Sequence, residues 1–179
     1  MATWRCWKQM AAALRCRLAL PFHLARRCGT TAMRRFRAWR CGRWSTAQLG
    51  WRGERLAARR LRRSGYRIVG RRVQLPSGEI DLIAVAPGRR VVFVEVKTRR
   101  GDRSTRPGMA VDQQKRARLR RLAGEFIRQH RLQGCGIRFD VVTVVWPRDG
   151  SAPRVAHYRA AFDAAGEPSA VPPRRPRRS

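Results

Sequence analysis

The chain has 179 residues, 42 Lys+Arg against 11 Asp+Glu, and a formal charge of +31 at pH 7. That length suits one domain with room for a hydrophobic core, and that charge calls for a polyanionic partner, most simply DNA or RNA, with an anionic membrane surface as the other option. No run of eighteen apolar residues reads as a membrane span, and Cys6, Cys16, Cys28, Cys41 and Cys135 fall without a CxxC pair, which argues against a standard zinc ligand pattern or a disulfide framework and suits a reducing, cytoplasmic setting.

Residues 1–44 hold eleven Lys+Arg and no acid, and Arg interrupts their apolar residues too often for a signal-peptide core. They read as a disordered basic arm, or as upstream sequence before a later start at Met33; a transit peptide is the third option. Residues 45–163 read as the folded domain, and 164–179, ending "VPPRRPRRS", as a flexible basic tail. Residues 45–146 alone carry +16, so the folded core is basic in its own right.

Ser45-x-x-Gln48 matches a capping box, and Gly65 suits the residue after a helix end, so a helix is expected between them. Leu49, Gly53, Leu56, Ala57 and Leu61 share one side; Arg52, Arg55, Arg59 and Arg62 share the other. Glu54 lies at the edge of the apolar side with no basic residue three or four positions away, so it needs a metal or an arginine from elsewhere in the fold. Three strands are expected at 66–75, 79–86 and 91–98, separated by Pro76-Ser77-Gly78 and Pro87-Gly88. The second and third are apolar on both faces, which predicts a sheet covered on both sides. A polar loop leads to a long amphipathic helix over 110–132 with Leu119, Leu122, Ala123, Phe126 and Ile127 as its buried stripe. A buried strand over 137–146 follows, with a short edge strand over 154–158. The expected class is α/β: an α-β-β-β-α-β core with a mixed sheet flanked by helices.

Within this frame, "GEIDLIAVAPGRRVVFVEVKTRR" (78–100) concentrates Glu79, Asp81 and Glu95 beside a lysine. Only Lys8, Lys97 and Lys115 among the 42 cations are lysines, so a random basic residue is lysine about one time in fourteen. A hairpin centred on Gly88 pairs residues whose numbers sum to about 176, placing Asp81 opposite Glu95. Asp81, Ile83 and Val85 then share a face with Val91, Phe93, Glu95 and Lys97. Two opposed carboxylates repel unless a cation lies between them, and such oxygen ligands suit Mg²⁺. Lys97, a compact ammonium with an adjustable pKa, can orient an attacking water or stabilise charge on a phosphate.

Asp81, thirteen residues and then Glu95-Val96-Lys97 resemble the PD-(D/E)xK nuclease signature. More narrowly, "GERLAARRLRRSGYRIV", "GEIDLIA", "VFVEVKTR", "AVDQQKRARLRRLA" and "RFDVVTV" resemble the bacterial YraN family, an uncharacterised group with a Holliday-junction-resolvase-like fold, over residues 48–163. The resemblance implies a restriction-endonuclease-like core with Glu54, Asp81, Glu95 and Lys97 as catalytic residues. Asp81 and Glu95, assisted by Glu54, would bind Mg²⁺ or Mn²⁺, and Lys97 would contact the nucleophile or the scissile phosphate. Ile80 stands where the superfamily's nominal proline falls, and Arg72 where the family's asparagine is expected.

Around that set, Glu79 is either a supporting carboxylate or a strand-edge ion pair with Arg71, Arg72 or Lys97. Lys115, Arg99 and Arg100 are candidate nucleic-acid contacts. Asp140 reads as a structural hydrogen-bonding residue, Asp102 and Asp112 as loop and helix-start residues, and His23, His130 and His157 as non-catalytic. Aromatic residues outside the expected core are too few to argue a stacking platform. The expected function is a Mg²⁺-dependent endonuclease hydrolysing nucleic-acid phosphodiesters, with DNA favoured, branched substrates in view and a homodimer as one possible state. The alternatives are a non-catalytic nucleic-acid-binding protein that keeps the fold, and a structural RNA-binding protein of ribosomal type, which predicts scattered rather than converging carboxylates.

Overall fold

The computed structural model describes residues 44–101 and 113–163; the N-terminal extension, the loop with Asp102 and Asp112, His23 and the tail lie outside them. Helix α1 (Thr46–Arg63) starts at the expected capping box: Ser45 Oγ accepts from the Gln48 amide at 3.2 Å, and the Ser45 amide donates to Gln48 Oε1 at 3.0 Å. It ends in a Schellman turn. Gly65 sits at φ +81°, its amide donates to Arg62 O, and the Tyr66 amide donates to Leu61 O. Strands β1 (Arg67–Leu75), β2 (Gly78–Val85) and β3 (Val91–Arg100) follow, then helix α2 (Gln113–Gln129), β4 (Ile137–Trp146) and β5 (Arg154–Phe162). The final strand extends four residues beyond the expected edge strand, and β4 matches its expected span.

The five strands form one sheet in the order β1-β2-β3-β4-β5. Only β3 and β4 run parallel, because α2 carries the chain across the sheet between them; the other neighbours are antiparallel. Each face has its own core. Leu119, Leu122, Ala123 and Phe126 of α2 pack with Ile83, Val85, Val91 and Phe93. On the opposite face Leu49, Ala57, Ala58 and Leu61 of α1 pack with Leu82, Ala84, Val92 and Val94. The continuous apolar runs of β2 and β3 therefore arise from burial on both sides.

Gly53 lets α1 approach β3. A Cβ at this position would meet Thr98 Oγ1 at 1.9 Å, a separation no side chain tolerates. The glycine thus sets the height of α1 above the sheet, and with it the position of the adjacent Glu54.

At the other side of the sheet the buried Asp140 gathers four donors. Arg138 donates through Nε at 2.7 Å and Nη2 at 2.8 Å, His157 Nε2 lies at 2.8 Å, and the Ala160 amide donates at 2.9 Å. Arg138 Nη2 also donates to the Tyr66 hydroxyl at 2.6 Å. Burial opposes ionisation, but the bonds from His157 and Arg138 outweigh it and hold Asp140 below the usual carboxylate range. The expected structural role for Asp140 thus has a physical basis. Cys135 is partly buried beside the α2-side core and is disulfide-bonded; the other four cysteines lie outside the described residues.

Two stability measurements test these contacts. Gly53→Ala lowers stability by about 1–3 kcal/mol through overpacking, and adding Thr98→Ala restores part of the loss in thermal melts; equal melting of Gly53→Ala and parent would disprove the close approach. Asp140→Ala costs about 3–5 kcal/mol in urea titration because Arg138 is left buried without its partner.

Candidate active site at the divergence of two strands

The observed β2–β3 pairs are Val85↔Val91, Ala84↔Val92, Ile83↔Phe93 and Leu82↔Val94, all at the expected register. The ladder stops there. Asp81 and Glu95 are the next residues, but they do not pair as strand neighbours; instead Asp81 Oδ2 accepts the Val96 amide at 2.7 Å. A side-chain acceptor thus replaces a backbone carbonyl, and β2 leaves β3 while β3 continues along β4 through Glu95↔Val141, Val96↔Val142 and Lys97↔Thr143. Opposite this point Arg72 has φ +47°, and the β1–β2 pairs on either side are Arg71↔Leu82 and Val73↔Ile80. Ile80 joins the α2-side core with Ile83 and Val85, so the in–out alternation of β2 is broken at Asp81. The left-handed backbone gives the Arg72 position a rationale for the expected asparagine, which enters that region at lower cost than arginine.

The divergence opens a cleft of about 140 Å³ lined by Glu79, Asp81, Glu95, Lys115, Arg118, Leu119 and Leu122. Lys97 Nζ donates to Glu95 Oε1, and both side chains are largely buried. Glu79 accepts from Arg72 Nε at 3.3 Å and also from Gln74 Nε2. The strand-edge ion pair with Arg72 is therefore present, the expected alternative with Lys97 is not, and Glu79 still lines the cleft. Lys115 reaches the same cleft from α2. Arg118, one helical turn further on, was missed in the sequence; its signal was the i, i+3 spacing from Lys115 on the face that carries Leu119 and Leu122. Arg99 and Arg100 are exposed at the end of β3, outside this cleft, and Arg100 Nη2 donates to the Trp44 carbonyl, which ties the start of α1 to β3.

Burial pushes the Asp81 carboxyl up to about 7; Glu95 and Glu54 add to the rise, and the Val96 amide and Lys97 oppose it. Burial likewise raises Glu54, where Arg72 and Arg71 lower and Glu79 raises. Glu54 Oε2 is buried without a hydrogen-bond partner. The arginine expected from elsewhere in the fold is thus present only as a nearby charge, and one carboxylate oxygen remains unsatisfied. Among the described residues no group of three or more His, Cys, Asp or Glu is gathered as a ready metal cage. Asp81 and Glu95 meet at the cleft; Glu54 acts on Asp81 through its charge. Two carboxylates with an unsatisfied third nearby still fit Mg²⁺, which commonly takes one or two protein carboxylates and keeps its waters.

Asp81 makes stability depend on pH with a definite sign. Below its ordinary pKa of 3.8 the group is neutral in folded and unfolded chains alike; as pH rises from about 4 to about 7 only the unfolded chain ionises freely, so the fold loses stability. Asp81→Asn keeps an oxygen for the Val96 amide and removes this penalty. Urea titrations are expected to show the variant more stable than the parent by roughly 1–3 kcal/mol at pH 8 and equal to it at pH 4; the same difference at both pH values would rule out a titrating Asp81.

The sequence profile of the uncharacterised protein family UPF0102 matches residues 53–144, a span that includes every residue lining the cleft. A UPF0102 protein of Rhodopirellula baltica is 48% identical over 122 residues, covering 67% of this chain and 73% of the relative. One from Symbiobacterium thermophilum is 50% identical over 103 residues, covering 58% and 86%. Another, from Syntrophotalea carbinolica, is 41% identical over 125 residues, covering 70% and 93%. The chain belongs to the uncharacterised protein family UPF0102, which is the YraN family its motifs resemble.

Proposed function

We propose that this protein is a metal-dependent endonuclease of the PD-(D/E)xK type that hydrolyses nucleic-acid phosphodiesters, with DNA as the favoured substrate. The observation that carries this reading is the partly buried Asp81 beside Glu95 at the end of a strand pair, raised to about 7 because Lys97 and the Val96 amide do not offset desolvation and the nearby carboxylates. Such an arrangement is costly to the fold, and a divalent cation would remove the cost. Asp81 and Glu95 would hold Mg²⁺ or Mn²⁺, with Glu54 as an outer carboxylate. A bound cation would supply positive charge to the phosphate and lower the pKa of a water.

The remaining work falls to the chain's own residues. Lys97, held against Glu95, is in place to orient a water and to balance charge on a phosphate oxygen. Lys115 and Arg118 bring two cations to the cleft mouth from α2, where a phosphodiester backbone would be received. Leu119 and Leu122 supply the apolar part of the cleft lining. The +31 charge draws the polyanion and supplies sequence-independent affinity.

The second reading, a non-catalytic binding protein with the same fold, draws on that charge alone, and one experiment separates the two. Cleavage of duplex, flap and four-way-junction DNA is followed in Mg²⁺ and Mn²⁺ for the parent, Asp81→Asn and Lys97→Ala, with binding measured in parallel. Metal-dependent cutting by the parent, abolished in both variants with affinity changed less than about threefold, is the expected result. Salt-sensitive binding without cutting in any metal would leave the binding reading.

A further inference from the structure

Helix α1 has a second face that the cleft does not use. Arg52, Arg55 and Arg59, at i, i+3 and i+7, rim a pocket of about 360 Å³ whose other walls are Leu56, Trp146, Ala152 and Pro153. The pocket lies between α1 and the β4–β5 turn, on the opposite side of the sheet from Lys115 and Arg118. Beside it Trp51 is 45% exposed, the one exposed large hydrophobic side chain among the described residues. The Arg55 guanidinium stands 4.6 Å from the Trp51 ring centroid, and that of Arg52 stands 4.1 Å from the Trp44 ring. Nothing in the sequence singled out Trp51; its exposure is visible only in the structure.

We propose that this face binds an unpaired stretch of nucleic acid, one base entering the apolar pocket, a neighbour stacking on Trp51, and the phosphates between them meeting Arg52, Arg55 and Arg59. An apolar floor rimmed by guanidinium groups matches a ligand that alternates flat apolar rings with anions. Duplex DNA offers the anions but hides the rings, so its phosphates alone would leave the pocket and Trp51 unused. The volume lies at the small end of ligand pockets, which suits a single base. An acidic peptide would satisfy the arginines without filling a pocket of this kind. The proposal deepens the nuclease reading by naming its substrate class as one with a single-stranded arm, and it rests on that reading only for the nucleic-acid partner. Glu54, between Arg52 and Arg55 in sequence but turned to the sheet, makes the same helix serve both sites.

The test uses the full chain, a 15-nucleotide single strand and the matching blunt duplex, with affinities measured across a salt series. Trp51→Ala is expected to weaken single-strand binding roughly tenfold and duplex binding less than twofold, with Trp51→Phe restoring most of the loss. Arg52→Gln, Arg55→Gln and Arg59→Gln together are expected to reduce the single-strand salt slope by about 2. Single-strand affinity unchanged in Trp51→Ala, or equal losses on both ligands, would overturn the proposal while leaving the nuclease reading intact. Failure of the parent to bind either ligand would overturn both. Vesicles with about one third phosphatidylserine serve as the competing anion: capture that depends on Trp51, with no such dependence for the oligonucleotide, would assign the face to a lipid surface and overturn the proposal.

Discussion

The hydrogen bond from the Val96 amide to Asp81 Oδ2 is the contact on which the site depends. An antiparallel ladder normally continues until the chain turns away, and its backbone groups satisfy one another. Here the ladder ends at Leu82↔Val94 because an aspartate side chain takes the next amide, freeing β2 to leave β3. The gap created between the strands is the cleft. Burial and the neighbouring Glu95 and Glu54 raise the Asp81 carboxyl far from its ordinary behaviour, with this bond and Lys97 opposing the rise. Strand divergence follows from the substitution of acceptor, and the perturbed acidity from burial beside two other carboxylates.

Around this bond the protein tolerates an electrostatic arrangement that it avoids elsewhere. The buried Asp140 has four donors and stays ionised below the usual range, whereas Asp81 has one backbone donor and rises. Asp140 is fully buried and Asp81 only partly, so burial does not explain why it is Asp81 that rises. The supply of donors does. With a single backbone donor, Asp81 is left to desolvation and to its carboxylate neighbours.

Helix α1 links the two surfaces through one small residue. Gly53 costs helix stability relative to alanine, by about 1 kcal/mol, yet it lets α1 settle onto Thr98. That contact brings Glu54 close enough to influence Asp81 and turns Arg52, Arg55 and Arg59 outward beside Trp51. A helix lifted by a single methyl would move both groups at once. The Arg100 contact with the Trp44 carbonyl holds the beginning of the same helix to the end of β3, so α1 is tied to the strand that carries Glu95 and Lys97.

Much of this was legible in the sequence, and the reasons are local. Ser45, Gln48 and Gly65 mark α1 because capping and αL geometry depend on a few adjacent residues. The apolar runs of β2 and β3 reveal a doubly covered sheet, and the Gly88-centred hairpin gives the right register because short turns leave little freedom. Asp81, Glu95 and Lys97 could be brought together by counting along that hairpin. Counting could not reveal that the ladder stops one pair short of Asp81, since that depends on the Asp81 side chain taking the Val96 amide. Nor could it show that Glu54 stays outside a closed ligand set, that Arg118 joins Lys115, or that Trp51 stands in solvent beside a pocket walled by the β4–β5 turn. Composition and local pattern determined the elements, their faces and the identity of the acidic cluster. Which charges meet, and which are left unsatisfied, was decided only by tertiary packing, because desolvation and Coulomb energy depend on distances between segments far apart in the chain.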